Sequence, residues 1–475
     1  MVFSSLLFVF FFLPLCMLVY ISVDGLKKKN YVLILFSLLF YMWTTPKYLI
    51  LLIGMTAWNY LFARIIDNHF DSWIAKPALI IDCGGSLLLL GYFKYTGFFC
   101  GITNHMFGVP KVIPEIVLPI GISFYTFQLI SYVVDVYWGD VRATKRFSTL
   151  LLYSSMFTQC IAGPIVRYKD VAREIYRRKT STKEVAEGVN RFAVGLAKKT
   201  ILANTCAQLV DKLMPESTLS ETAVAALWLG ALFYMFQIYF DFSAYSDMAI
   251  GMGLMMGFHF KENFDYPYIS GSVSEFWRRW HISLGTFFRD YVYIPLGGSR
   301  CSLPRIIWNL FVVWALTGLW HGASWNFVCW GLYYFIFLMI ERIFFQGKLE
   351  QRGGIGIHIY TLIVIYFGWI LFKWTDASML MTVGKGMLGL NQNALWSFET
   401  GTILLNHIFF ILLCILAVTP VFKIIHTKLG QMMGKKELLG PIYQGFEIIY
   451  PAGLVILSMM ALVGNSYNPF MYFQF

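Results

Sequence analysis

Two histidines in this chain stand out, one where an imidazole is costly to place and one beside two arginines in a segment that reads as an interfacial helix. His321 sits in the run Trp320-His321-Gly322-Ala323-Ser324-Trp325-Asn326, between two strongly apolar segments. His281 lies earlier, at the end of Trp277-Arg278-Arg279-Trp280-His281. An ionisable group inside a membrane segment is a functional candidate by default, because burying it unpaired is expensive. A neutral imidazole can take a proton from a hydroxyl and later return one to a leaving group. That suits acyl transfer from a thioester or ester to a weak alcohol nucleophile. The plainer alternative for His321 is a structural histidine hydrogen-bonded between helices.

Other polar residues narrow the chemistry. Ser324 stands three residues from His321, but no associated acid or nucleophile elbow accompanies it, so a serine-hydrolase triad is not indicated. No HExxH or paired His/Cys spacing occurs, and no metal site is expected. The eight cysteines (Cys16, Cys83, Cys100, Cys160, Cys206, Cys301, Cys329 and Cys414) are scattered and read as small buried hydrophobes. Arg278 and Arg279 either snorkel to lipid headgroups or hold the phosphates of an acyl carrier such as coenzyme A. Trp277, Trp280, Trp320 and Trp325 read first as interfacial anchors or packing residues. Asp241 and Asp247, in an otherwise apolar run from Gln237, should be paired or wetted.

The elements that position these residues belong to a bilayer. The chain of 475 residues is 58% hydrophobic and only 13% charged, against about 25% charged in soluble domains. A β-barrel would alternate apolar and polar over ~10-residue segments; here the apolar runs are continuous. The net charge of +11 comes from Lys and Arg clustered in short loops. That is the positive-inside pattern of a membrane protein, not the footprint of a nucleic-acid partner.

The expected fold is all-α: a polytopic integral membrane domain over 1–475 with about eleven transmembrane helices plus re-entrant and interfacial helices, several of the apolar runs reaching the ~20 residues a bilayer requires. They fall at 1–22, 31–45, 48–66, 77–99, 115–138, 221–258, 306–320, 325–342, 355–374, 403–425 and 446–465. The first, followed by Lys27-Lys28-Lys29 and preceded by no basic residue, reads as a retained helix with its N-terminus outside. Gly84-Gly85 should interrupt the fourth, and Pro119 and Gly121 should break the fifth, which carries Gln128. Residues 148–165 are apolar with basic clusters on both flanks, so they read as re-entrant. Residues 183–213 form an amphipathic interfacial helix, and 261–305 a polar stretch on the cytoplasmic side. The two short segments around His321 read as a hairpin or broken pair, each marginal as a full span. The basic loop Lys428 to Lys436 marks another cytoplasmic connection.

Three blocks carry a family resemblance: Ser274 to Leu284, Phe288 to Gly298 and Leu316 to Ala323. Together they resemble the signature of the membrane-bound O-acyltransferases, and more narrowly the bacterial alginate O-acetyltransferase branch. The resemblance extends to Leu118 to Gln128, Gly163-Pro164, Asp241 to Asp247 and Tyr467-Asn468-Pro469-Phe470. It implies helices ringed around a thinned centre, with a central funnel or tunnel. The essential histidine of that family maps onto His321, as general base on the acceptor hydroxyl, and its second signature histidine onto His281, beside the donor thioester. Donor or substrate contacts are expected among Arg278, Arg279, Trp277, Trp280, Trp320, Ser324, Asn326, Asp241 and Gln128.

The resemblance further implies acetyl-CoA as acyl donor and a multi-pass location in the bacterial cytoplasmic (inner) membrane. It also implies an SGNH-hydrolase-like extracytoplasmic partner working with the polysaccharide biosynthesis machinery. An alternative within the enzyme class is transfer of D-alanyl or another acyl group from a carrier protein, with Arg167 to Lys179 as its docking surface. A reading from another class is a transporter or channel, which predicts internal pseudo-symmetry that the sequence does not display.

Overall fold

Continuous apolar runs leave the backbone only one way to satisfy its hydrogen bonds in hydrocarbon, and the chain takes it. The computed structural model describes residues 1–108, 116–161, 163–346, 349–433, 439–464 and 468, and among these helix is the only regular structure. Its contacts cluster into two units. The first comprises 1–192, 245–262 and 286–295; the second comprises 193–244, 263–285 and 296–475.

The first unit begins with α1 (Leu13–Ser22), α2 (Leu26–Thr44), α3 (Leu49–Asn68) and α4 (Ala75–Phe107). The expected interruption at Gly84-Gly85 is absent: α4 runs through both glycines for 33 residues. After Gly121, α5 (Ile122–Trp138) follows. Gly121 has φ +76°, and a Cβ there would lie 2.3 Å from the Cys160 carbonyl oxygen, so only glycine fits. The segment expected to be re-entrant forms α6 (Phe147–Ser155) and α7 (Phe157–Cys160), 9 and 4 residues long, too short to cross a bilayer. Then come α8 (Tyr168–Arg177) and α9 (Thr182–Ala197). Ser181 and Glu184 open α9 with a capping box: Ser181 Oγ accepts from the Glu184 N–H at 3.1 Å, and Glu184 accepts from the Ser181 N–H at 2.7 Å. A π-helical turn, Lys198–Ala203, carries the chain from α9 into α10 (Asn204–Leu213), so the amphipathic region is helical throughout.

α11 (Val224–Met255) passes from the second unit into the first. The polar stretch folds as α12 (Val273–Arg279), α13 (Ile282–Phe288) and a π turn. After it come α14 (Leu303–His321), α15 (Trp325–Phe344), α16 (Leu349–Arg352), α17 (Ile355–Lys373) and α18 (Ala377–Met387). The second unit closes with α19 (Phe398–Asn406), α20 (Ile408–Ala417), α21 (Val421–Met433) and α22 (Leu439–Gly464). The expected span at 403–425 is in fact α19 and α20, bent by 59°. Of the expected basic loop, 428–433 is helical within α21, and 434–436 lies outside the described residues, as do Tyr467, Pro469 and Phe470.

Seven helices among the described residues are long and apolar enough to span, or eight if the bent α19–α20 pair counts as one. The remaining three of the expected spans are helical but fall short: the first, a π-helical segment running into α1, covers Phe8–Ser22, α5 has 17 residues, and α2 carries Lys27-Lys28-Lys29 in its first turn. Conversely α14 and α15, expected to be marginal, are 19 and 20 residues and qualify as full spans. Large apolar side chains such as Ile50, Leu88 and Ile448 stand exposed on these helices, as lipid-facing residues do.

Candidate active site

His321 is the last residue of α14, and the α14–α15 turn places it. The two helices meet at glycines. A Cβ on Gly318 would lie 2.4 Å from the Phe327 carbonyl oxygen, and one on Gly331 2.4 Å from that of Trp314. Small residues at the crossing therefore let the backbones touch, as is usual where membrane helices pack closely. The buried His321 ring packs edge-on against Trp330, 4.9 Å between centroids, and Phe372 of α17, 5.3 Å. Asn326 fixes the start of α15 by donating from Nδ2 to the Phe372 carbonyl at 3.2 Å, while the Ser324 hydroxyl donates to Asn326 Oδ1. Ser324 and Asn326 thus brace the turn that carries His321.

His281 lies between α12 and α13 with φ +45°, a left-handed conformation that costs a non-glycine residue roughly 1 kcal/mol or more. What holds it there is Asn263. The Ile282 N–H donates to the Asn263 backbone carbonyl at 2.9 Å. Asn263 Oδ1 lies 3.1 Å from His281 Nδ1, 3.1 Å from the Ser283 N–H nitrogen and 2.8 Å from Ser283 Oγ. The His281 side chain is almost fully buried, its Nε2 has no hydrogen-bond partner among the described residues, and burial pushes the imidazole down to about 3.

α12 is tied to the His321 hairpin by Glu341 of α15. This buried carboxylate accepts from the Val273 N–H at 2.7 Å, the Ser274 N–H at 3.0 Å and Ser274 Oγ at 2.6 Å. It caps the first turn of α12, where a negative charge is favoured. Ser272 Oγ accepts from the Glu275 N–H at 2.9 Å and completes the start of the helix. The two histidines share one indole as neighbour: Trp320 lies 5.8 Å from the His281 ring and 5.1 Å from the His321 ring.

The remaining candidates sort by place. Trp277 packs against Trp314 and Tyr334, both at 4.8 Å, and Trp280 against Trp369 at 4.7 Å. With Trp320 they are parts of an aromatic core, whereas Trp325 is exposed. Arg278 is ion-paired with Glu350, and Arg279 with Glu275 at 2.8 Å and Asp265 at 2.9 Å. Both guanidiniums therefore already have carboxylate partners. Asp241 pairs with Lys199 at 2.7 Å, both side chains buried. Asp247 pairs with Arg191 at 2.9 Å in the first unit. Gln128, also in the first unit, is fully buried on α5, and neither end of its amide has a partner among the described residues. Among the described residues no group of three or more His, Cys, Asp or Glu side chains could hold a metal ion.

Three contributors were not picked out from the sequence. Glu341 and Lys199 could have been, since each is ionisable within an apolar stretch, the same signal that marked His321. Asn263 carried no such signal, because its partners lie 18 to 20 positions away across a turn. Two imidazoles packed against one buried aromatic core are groups that can accept a proton from a hydroxyl and return it.

The family model of the membrane-bound O-acyltransferases matches residues 142–351, which include both histidines. The chain is 36% identical to "Probable alginate O-acetylase AlgI" of Pseudomonas putida over the full length of both proteins. It is 33% identical to a peptidoglycan O-acetyltransferase of Helicobacter pylori, covering 82% of this chain and 80% of that one. It is 28% identical to a teichoic acid D-alanyltransferase of Bacillus subtilis, covering 53% of this chain and 67% of that one.

Proposed function

The chain belongs to the membrane-bound O-acyltransferase family, and from that membership and the paired histidines we propose that it acetylates an exported or cell-surface polysaccharide. It is a multi-pass membrane enzyme that transfers acyl groups. The donor in this reading is acetyl-CoA on the cytoplasmic side of the bacterial inner membrane. The observation that carries the reading is that the His281 and His321 rings both pack against Trp320. The His321 imidazole takes the proton of the acceptor hydroxyl as its oxygen attacks the acetyl carbonyl. The carbon–sulfur bond breaks, and the proton passes to the departing thiolate, so that an O-acetyl ester and free thiol result. An SGNH-hydrolase-like partner on the outer face is the onward carrier to the polymer, working with the polysaccharide machinery. The full-length similarity to an alginate O-acetylase and the similarity to a peptidoglycan O-acetyltransferase support a glycan acceptor.

The test supplies inverted membrane vesicles with labelled acetyl-CoA and follows label into an O-ester. Incorporation that depends on His321 supports the reading; none above vesicles lacking the protein defeats it. The second reading, D-alanyl transfer from a carrier protein, rests on the shorter match to the teichoic acid enzyme. Its docking surface at Arg167 to Lys179 is partly committed elsewhere: Arg167 pairs with Asp170 and Asp290, and Lys169 with Asp135 and Asp140. Label from a charged carrier protein but not from acetyl-CoA would favour it.

A further inference from the structure

We infer that Asn263 is a positioning residue that sets the tautomer of His281, fixing the proton on Nδ1 and leaving Nε2 as a bare proton acceptor. The argument turns on which end of the Asn263 amide faces the ring. A backbone N–H can only donate, and that of Ser283 meets the same amide atom as the His281 ring does, at 3.1 Å. That atom must be the oxygen; the opposite orientation would set two donors against each other. The Ser283 hydroxyl adds a second donor to it at 2.8 Å. An oxygen facing Nδ1 at 3.1 Å favours a proton on Nδ1, and the Ser283 hydroxyl, 3.4 Å from the same nitrogen, is directed instead to Asn263 Oδ1 at the shorter 2.8 Å. In a neutral imidazole the other nitrogen is then unprotonated.

The surroundings keep it so. Nε2 is buried with no hydrogen-bond partner among the described residues, and the rings packed about the imidazole are Phe242 at 4.6 Å, Phe264 at 6.4 Å and Trp320 at 5.8 Å. The charged groups on the same elements are occupied: Asp241 by Lys199, Asp265 and Glu275 by Arg279, and Arg278 by Glu350. With the next residue's N–H bonded to the Asn263 carbonyl and its own Nδ1 against Asn263 Oδ1, His281 is held in the left-handed region with its ring direction fixed.

The tautomer limits what His281 can do in the proposed reaction, on which this inference rests. In the resting enzyme it can accept a proton or a hydrogen bond from a hydroxyl or amide at Nε2. It cannot polarise a carbonyl by donating from Nε2 until it has first been protonated.

Two measurements test this. In protein carrying nitrogen-15 histidine, with His281→Gln identifying the signal, the resting tautomer is read directly and without reference to activity. A proton on Nδ1 supports the inference, and one on Nε2 overturns it. Acyl transfer is then compared in Asn263→Ala and Asn263→Asp, with protein level and melting temperature followed alongside. Asn263→Ala should lose about 10- to 100-fold in kcat, the range that follows loss of the partner orienting a metal-bound histidine, with the donor KM changed far less. Asn263→Asp keeps the acceptor and adds a negative charge beside the ring, which favours the imidazolium. It should retain more activity than Asn263→Ala and shift the acid limb of the rate profile to higher pH. Wild-type rate and pH profile in both variants would overturn the inference, even where His281→Gln is inactive. Full activity of His281→Gln would instead defeat the role given to His281 itself, while leaving the tautomer measurement to stand.

Discussion

Substituting Gly318 by alanine should damage catalysis without touching a catalytic group. The added Cβ would sit 2.4 Å from the Phe327 carbonyl oxygen and 3.3 Å from the Cα of Gly331, whereas ordinary contact begins at 3.4 Å. Both obstacles are backbone, so no side chain can swing aside, and α14 and α15 must part by about 1 Å. A displacement of that size remote from the reacting atoms can cost about 100-fold in rate, through lost alignment. The strain itself should cost about 1–3 kcal/mol of stability, the usual range for overpacking. His321, three residues on, would move relative to Trp330, against which its ring lies at 4.9 Å. The assay is labelled acetyl transfer in membrane vesicles, normalised to folded protein. Gly331→Ala, whose Cβ meets the Trp314 carbonyl oxygen at 2.4 Å, should behave alike. Gly84→Ala is the control: nothing lies within 4 Å of its Cβ, and both rate and stability should hold. A Gly318→Ala enzyme working at more than about half the wild-type rate would refute the claim that close helix approach places His321.

Two further expectations concern charge. Lys199→Met should destabilise the protein by about 3–5 kcal/mol, since it strands Asp241 as a buried carboxylate; Lys199→Met with Asp241→Leu should recover most of the loss. Thermal melts of the three variants in detergent check this, and equal melting of single and double variants would contradict it. The second concerns acid. His281 binds its proton in the folded state only near pH 3, against an ordinary value of 6.5, so below pH 6.5 the unfolded chain holds more protons than the folded one. Its contribution to stability is complete above that pH and falls as pH drops toward 3, with a slope approaching 1.4 kcal/mol per pH unit. His281→Gln should therefore flatten the acid side of the melting curve; an unchanged slope would contradict the buried neutral imidazole.

Much of the architecture was legible because the bilayer restricts the backbone so severely. Continuous apolar runs became helices, the doubly basic flanks of 148–165 marked a segment too short to cross, and the His321 motif fell at a helix turn. The errors have physical causes. Gly84-Gly85 was expected to interrupt a helix, yet in an apolar setting the backbone bonds have no competitor, and glycine is tolerated. α14 and α15 looked marginal because Ser302, Leu303, Pro304 and Arg305 obscure where the first begins, and its helix in fact starts at Leu303. At the candidate site, single residues could be nominated but not paired. That Arg279 would reach Asp265, or that Asn263 would clamp His281, depends on folding 261–305 back on itself, and Arg278 finds Glu350 from farther along the chain. No periodicity encodes that return.

The central claim is that His321 moves the proton in acyl transfer. The direct measurement is O-acetyl incorporation from labelled acetyl-CoA by vesicles containing His321→Ala at wild-type abundance and melting temperature. Incorporation should fall to the level of vesicles without the enzyme. Incorporation at the wild-type rate would contradict the account and return His321 to the aromatic core as a packing residue.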